Sequence, residues 1–187
     1  MFTADQQLYR LAVEVLWVHP ERFRNFHVRL GGMHTLMSFV GCVGTLMSCS
    51  GLEDVLQVAF AGVGAMLAGK KFPHNIRALR MTVEELLSPL FSNEDISDFD
   101  SLMIYLENIA SKSRTSKHWI DCLIKPVFIM LMFIRAEREG NWPLHLWTLE
   151  AMVPYFFDSG YWNYMLAMQH IICEAWKNWT PFFVKIS

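Results

Sequence analysis

Apolar residues recur along this chain mostly at three- and four-residue intervals, and those intervals divide it into helices. Leu8, Leu11, Ala12 and Val15 follow Thr3-Ala-Asp-Gln6, which has the form of a capping box, so the spacing predicts a helix over 4–18. Asn25–Leu30 alternates instead, with Phe26, Val28 and Leu30 set against His27 and Arg29, and reads as a strand ending at Gly31-Gly32. Ile76, Leu79, Val83, Leu86 and Leu87 predict an amphipathic helix over 74–88, closing near Pro89. Ile96, Phe99, Leu102, Leu106 and Ile109 line another, with acids in its first turn. Ser111–Ser116 is a break. Trp119–Arg138 is the next helix, which Pro126 should bend. Asn141-Trp142-Pro143 restarts a helix through Phe157, and Gly160 separates it from a last one over Tyr161–Trp176.

The pattern predicts a mainly α fold: about seven helices with one or two short N-terminal strands, an incomplete α/β opening. Residues 1–187 read as a single domain or domain fragment. The α/β opening and small-residue helices occupy 1–69, and the rest of the helical part occupies 70–187. An isolated strand is not stable, so Asn25–Leu30 is expected to pair with another copy or with a sheet outside the chain.

Two stretches, Gly31–Leu52 and Val55–Gly69, carry almost no charge. The first matches the length of about 20 residues that spans a bilayer, and an integral membrane protein with helices at 31–52 and 55–69 is one reading. Thr35, Ser38, Thr45, Ser48, Gly41 and Gly44 favour another, in which small residues let neighbouring backbones approach closely in a packed core.

Composition narrows the function classes. Hydrophobic residues make up 53% and charged residues 18%, which excludes a disordered chain and a coiled coil. A net charge of −2 gives no overall basic surface for nucleic acid. Cys42, Cys49, Cys122 and Cys173 lie far apart, as buried free thiols in a reducing compartment would. The opening residues have neither a basic nor an apolar targeting region. Localisation is expected to be intracellular, cytoplasmic or nuclear.

Several constellations bear on chemistry. Gly64-Ala-Met-Leu-Ala-Gly69-Lys70-Lys71 nearly spells a phosphate-binding loop, but Lys71 stands where a magnesium-binding hydroxyl is needed, and a packed helix explains it better. No cofactor is predicted from it. His118 with Cys122, and His170 with Cys173, fall at helical spacing and could together make a tetrahedral zinc site; ordinary burial is the plainer reading. Ser48-Cys49-Ser50-Gly51 lacks the first glycine of a hydrolase elbow. Glu94, Asp95, Asp98 and Asp100 lack the order of a calcium loop and suit a helix start. Lys70, Lys71, Arg77 and Arg80 form one basic block, Lys112, Arg114 and Lys117 a second, with an acidic block between them. The basic blocks either grip the phosphates of a nucleic acid or pair with the acids. Late aromatics, among them Trp142, Trp147, Tyr155–Phe157, Tyr161, Trp162, Trp176, Trp179, Phe182 and Phe183, predict an exposed apolar patch for self-association or a protein partner.

Three blocks carry a resemblance: Phe2-Thr-Ala-Asp-Gln-Gln-Leu-Tyr9; Arg29-Leu-Gly-Gly-Met-His-Thr-Leu-Met-Ser-Phe39; and Arg135-Ala-Glu-Arg-Glu-Gly-Asn-Trp-Pro-Leu-His145. In that order, over roughly residues 1–168, the chain resembles a family of long, uncharacterised, multi-copy animal proteins associated with mobile elements. That family is more distantly similar to transposase-like proteins with a ribonuclease-H core, whose carboxylates at strand ends hold magnesium ions. The resemblance implies Asp5, His34, and Glu137 or Glu139 as candidate catalytic residues. It also implies an acid beside the histidine, where this chain has Gly32. Two functions follow as expectations: a truncated, non-catalytic protein with an apolar interaction surface, and a metal-dependent nucleic-acid-processing protein.

Overall fold

The computed structural model describes residues 2–67, 72–92, 96 and 98–183, and these residues are mainly α-helical. Phe2–Ala4 forms β1, Gln6–Val18 forms α1 and Val28–Leu30 forms β2. The strands pair in parallel, Phe2 opposite Val28 and Ala4 opposite Leu30, with α1 as the crossover that a parallel pair requires. The strand expected to find its partner outside the chain therefore has one within it. Three residues are too few for β1 to show alternation. The expected cap is corrected as well. Thr3 lies in β1, and Asp5 caps α1, its Oδ1 accepting from the Leu8 amide at 2.9 Å. That contact satisfies an orphan N–H at the positive end of the helix dipole.

The chain separates into two compact units: Met1–Phe39 with Met132–Ser187, and Val40–Leu131. The first holds β1, α1, β2, the start of α2 (Gly32–Leu46), the end of α8 (Lys125–Glu139), α9 (Trp142–Asp158) and α10 (Trp162–Phe183). Its core gathers Tyr9 and Val13 with Phe39, Phe133, Phe156 and Met168, all buried. The Phe39 and Phe156 rings lie 5.7 Å apart, and Tyr164 stacks on Phe156 at 5.5 Å. The Asn141 side chain caps α9, accepting from the Leu144 amide at 3.1 Å, and Gly160, at φ +80°, makes the turn into α10. Among the late aromatics, Trp147, Phe157 and Trp162 are exposed. The side chains of Trp176, Trp179, Phe182 and Phe183 lie outside the described residues.

The second unit contains the rest of α2, then α3 (Leu52–Gln57), α4 (Val63–Leu67), α5 (Phe72–Leu87), a 3-10 turn at Ser88–Ser92, α6 (Phe99–Lys112) and α7 (Arg114–Trp119). The uncharged runs are not the continuous helices expected over 31–52 and 55–69. Helix α2 stops at Leu46, Cys49 and Gly51 adopt positive φ, and the second run breaks between α3 and α4, with Gly62 at φ +75°. Among the described residues no helix is long and apolar enough to cross a membrane. Small residues serve close packing here: a Cβ on Gly44 would fall on the backbone carbonyl of Leu67.

Pro126 leaves its mark ahead of itself. Ile120–Ile124 is a π turn joining α7 to α8. The wider turn sits where the helix must pass a ring that has no N–H to give, so the break expected over 111–116 narrows to Ser113, which caps α7. Asp98 caps α6, its side chain accepting from the Ser101 amide at 2.8 Å.

Candidate functional site

In a parallel βαβ unit, chemistry collects beyond the carboxyl ends of the strands. Asp5 directly follows β1, and Gly31-Gly32 directly follows β2, with the Gly31 amide donating to the Ala4 carbonyl at 2.8 Å. Helix α8 brings Glu137 to the same place. A Cβ on Gly32 would lie 2.8 Å from Glu137 Oε2, so the carboxylate fills the space that a side chain at position 32 would take. Glu137 of α8 thus stands against the backbone at Gly32, at the end of β2.

Glu137 is heavily engaged. Its Oε1 pairs with the Arg29 Nη2 of β2 and lies 2.8 Å from His145 Nδ1 of α9. His145 is buried between aromatic rings, with Trp142 stacked at 5.1 Å and Phe133 at 5.0 Å. The contact with His145 is the largest influence on the carboxyl, and the guanidinium of Arg29 adds to it. Together they outweigh partial burial and hold Glu137 below the usual carboxylate range. Arg29 Nε is buried and finds no hydrogen-bond partner among the described residues.

The other candidates have simpler surroundings. Asp5 is a helix cap, and His34 is exposed in the first turn of α2. Glu139 pairs with Arg135 one turn away at 2.8 Å, on the surface. Cys122 Sγ meets His118 Nδ1 at 3.6 Å. His170 Nδ1 instead meets the Tyr9 hydroxyl at 3.0 Å, while Cys173 is exposed. Burial, with the Glu174 carboxylate adding to it, pushes the Tyr9 phenol up to about 12. Among the described residues no three of His, Cys, Asp and Glu gather as a metal centre would require.

The basic blocks divide. Arg80 pairs with Glu84 at 2.9 Å and Lys117 with Asp121 at 3.8 Å, both one helical turn apart. Lys125, which no pattern singled out, ties Glu107 and Asp121 together at 2.5 and 2.8 Å. Arg77, Lys112 and Arg114 are exposed. Lys70, Lys71, Gly69, Glu94 and Asp95 lie outside the described residues.

Sequence reasoning missed Arg29 and His145. The available signal was a charged residue between two inward strand positions, and a histidine on the apolar face of α9. A second site surfaced only in three dimensions. Leu8, Leu11 and Val15 of α1 meet Phe2, Phe23 and Phe26 in an apolar groove of about 240 Å³. Leu8 and Leu11 are each about half exposed.

No curated protein and no solved structure matches the chain. One family matches in two overlapping segments, residues 1–103 and 93–172, which together cover most of the sequence. The chain belongs to that family, described as a domain of unknown function (DUF8702).

Proposed function

We propose that this chain is a non-catalytic interaction module that takes an extended apolar segment of a partner protein along β1. The observation that carries this reading is the juxtaposition of an open strand edge and a greasy groove. The Phe2 amide donates to His27 and the Ala4 carbonyl accepts from Gly31, so alternation turns the amide and carbonyl of Thr3 away from β2. The groove beside Phe2 accepts the side chains of a strand added there, the mode in which main-chain bonds give affinity and apolar sockets give selectivity. A two-stranded sheet also gains stability from a third strand. The engagement of Glu137 by Arg29 and His145 supports a structural use of that carboxylate.

Selection of short displayed peptides on the folded chain tests this. Enriched peptides should alternate apolar and polar residues, and their binding should be lost with Leu11→Glu. Thr3→Pro removes only an outward donor and should weaken binding while leaving the fold intact. Failure to enrich peptides, or binding indifferent to both changes, refutes the proposal. A concentration-dependent dimer that Leu11→Glu dissolves would make the occupant a second copy and overturn the partner-segment reading.

A second reading, metal-dependent nucleic-acid processing of the transposase-like kind, is supported by Asp5 and Glu137 lying at the same end of the parallel pair. Two carboxylates so placed suit magnesium and in-line attack on a phosphodiester. Cleavage of DNA that requires Mg²⁺ and disappears in Asp5→Asn would support it, since asparagine keeps the cap and removes the charge. Activity unchanged by Asp5→Asn, or no cleavage at all, sinks it.

A further inference from the structure

Where α6 turns into α7, an open cleft of about 380 Å³ is walled by Lys112, Arg114 and Lys117 together with Ser111 and Ser113. Glu107, the acid among the described residues that line it, has its Oε1 held by Lys125 Nζ at 2.5 Å, so much of that charge is answered elsewhere. Among the described residues, neither Lys112 nor Arg114 enters an ion pair with an acid, and Lys117 holds Asp121 only at 3.8 Å on the surface. The bland expectation, that this basic block answers the acidic block before it, thus fails for two of its three members. Ala110 is the one apolar residue of the wall among the described residues, and a single methyl group offers little to insert into a lipid surface. The cleft is open rather than enclosed, as suits a chain passing across it better than a small molecule closed within it.

We infer that this α6–α7 cleft binds the phosphodiester backbone of a nucleic acid strand, with Lys112, Arg114 and Lys117 meeting successive phosphates and the Ser113 hydroxyl, whose oxygen accepts from the Ser116 amide, supplying a neutral donor. Such contacts position a strand without reading its bases. Three of them give a salt dependence with a log–log slope of about −2 on single-stranded DNA. The site is separate from the α1 groove, and the two stand or fall independently.

Fluorescence anisotropy of a labelled single-stranded oligonucleotide of mixed sequence, titrated with the full chain at low salt, is the test. Binding should be insensitive to sequence. Lys112→Glu with Arg114→Glu should reduce affinity by at least tenfold, and the milder Lys112→Gln with Arg114→Gln should reduce it less and flatten the slope by about 1.4. Both pairs are exposed, and unchanged thermal melting certifies that they fold. Arg77→Glu, an exposed base of the same unit outside the cleft, should leave binding intact. The inference is overturned if no strand binds, if the cleft variants bind as tightly as the parent chain, or if Arg77→Glu weakens binding equally. It is also overturned if vesicles of phosphatidylserine in phosphatidylcholine bind through these residues and the oligonucleotide does not.

Discussion

Replacing Gly44 by alanine is expected to destabilise the Val40–Leu131 unit by about 2 kcal/mol. Two terms oppose each other. Alanine is the better helix former by about 1 kcal/mol. The added methyl, however, would meet the carbonyl of Leu67, with the carbonyl carbon at 2.9 Å and the Leu67 Cβ at 3.0 Å. Backbone cannot rotate out of the way as a side-chain tip can, and overpacking of this kind costs about 3 kcal/mol, so the clash wins. Gly64, in α4, supplies the contrast: a Cβ there meets nothing within 4 Å. Gly64→Ala should leave stability unchanged or raise it slightly. Urea unfolding of both variants decides the matter. A Gly44→Ala protein as stable as the parent would show that α2 and Leu67 do not approach as described.

Glu137→Ala should cost about 3 kcal/mol, the range for removing one member of a mostly buried ion pair. Arg29 and Glu137 side chains are 17% and 29% exposed, and removal of the carboxylate also strips the buried His145 of its counterpart. Glu137→Gln, which keeps an oxygen facing both partners, should lose less. Glu139→Ala, which breaks only a surface pair, should stay within about 0.5 kcal/mol of the parent. The pH dependence has a definite sign. The carboxyl of Glu137 titrates below the ordinary glutamate value in the folded chain. Its contribution is therefore complete above that ordinary value and is lost as pH falls through the depressed one. Stability measured from neutral pH downwards should drop less in Glu137→Gln than in the parent chain across that acidic window. Equal slopes would show that the pairing with Arg29 and His145 does not stabilise the fold.

How much of this was legible in the sequence depends on the range over which each pattern acts. Periodicity is local, and it located α1, α5, α6, α9 and the start of α10 because their apolar stripes face a core. It overran at Gly31–Leu52, where the run stays uncharged through the turn at Met47–Gly51 although Ser48, Ser50 and Gly51 are turn residues, and Cys49 and Gly51 take positive φ. β1 escaped because three residues cannot display a period, and without it β2 looked orphaned. Asp5 was noticed as an acid at an element junction, yet its cap to Leu8 required knowing that Thr3 had already been taken by a strand. Glu137 was singled out through the Arg-Ala-Glu-Arg block. Its company was not, since Arg29 lies 108 positions away and only the fold brings them together. Of the His-Cys pairs at helical spacing, His118 and Cys122 meet, while His170 meets the Tyr9 hydroxyl, a neighbour no spacing along α10 announces.

The split of the first unit around Val40–Leu131 bears on how a ribosome delivers this molecule. The inserted unit is contiguous and can complete its core as soon as it emerges. The flanking unit must wait, with Phe39 uncovered and the guanidinium of Arg29 without its counter-ion, until Met132 and the helices after it have been translated. Closing so long a loop is entropically costly and slow relative to local helix formation. Biosynthesis therefore finishes the middle unit before the flanking one can close, and the parallel strand pair spends that interval without the carboxylate of Glu137 that later anchors Arg29.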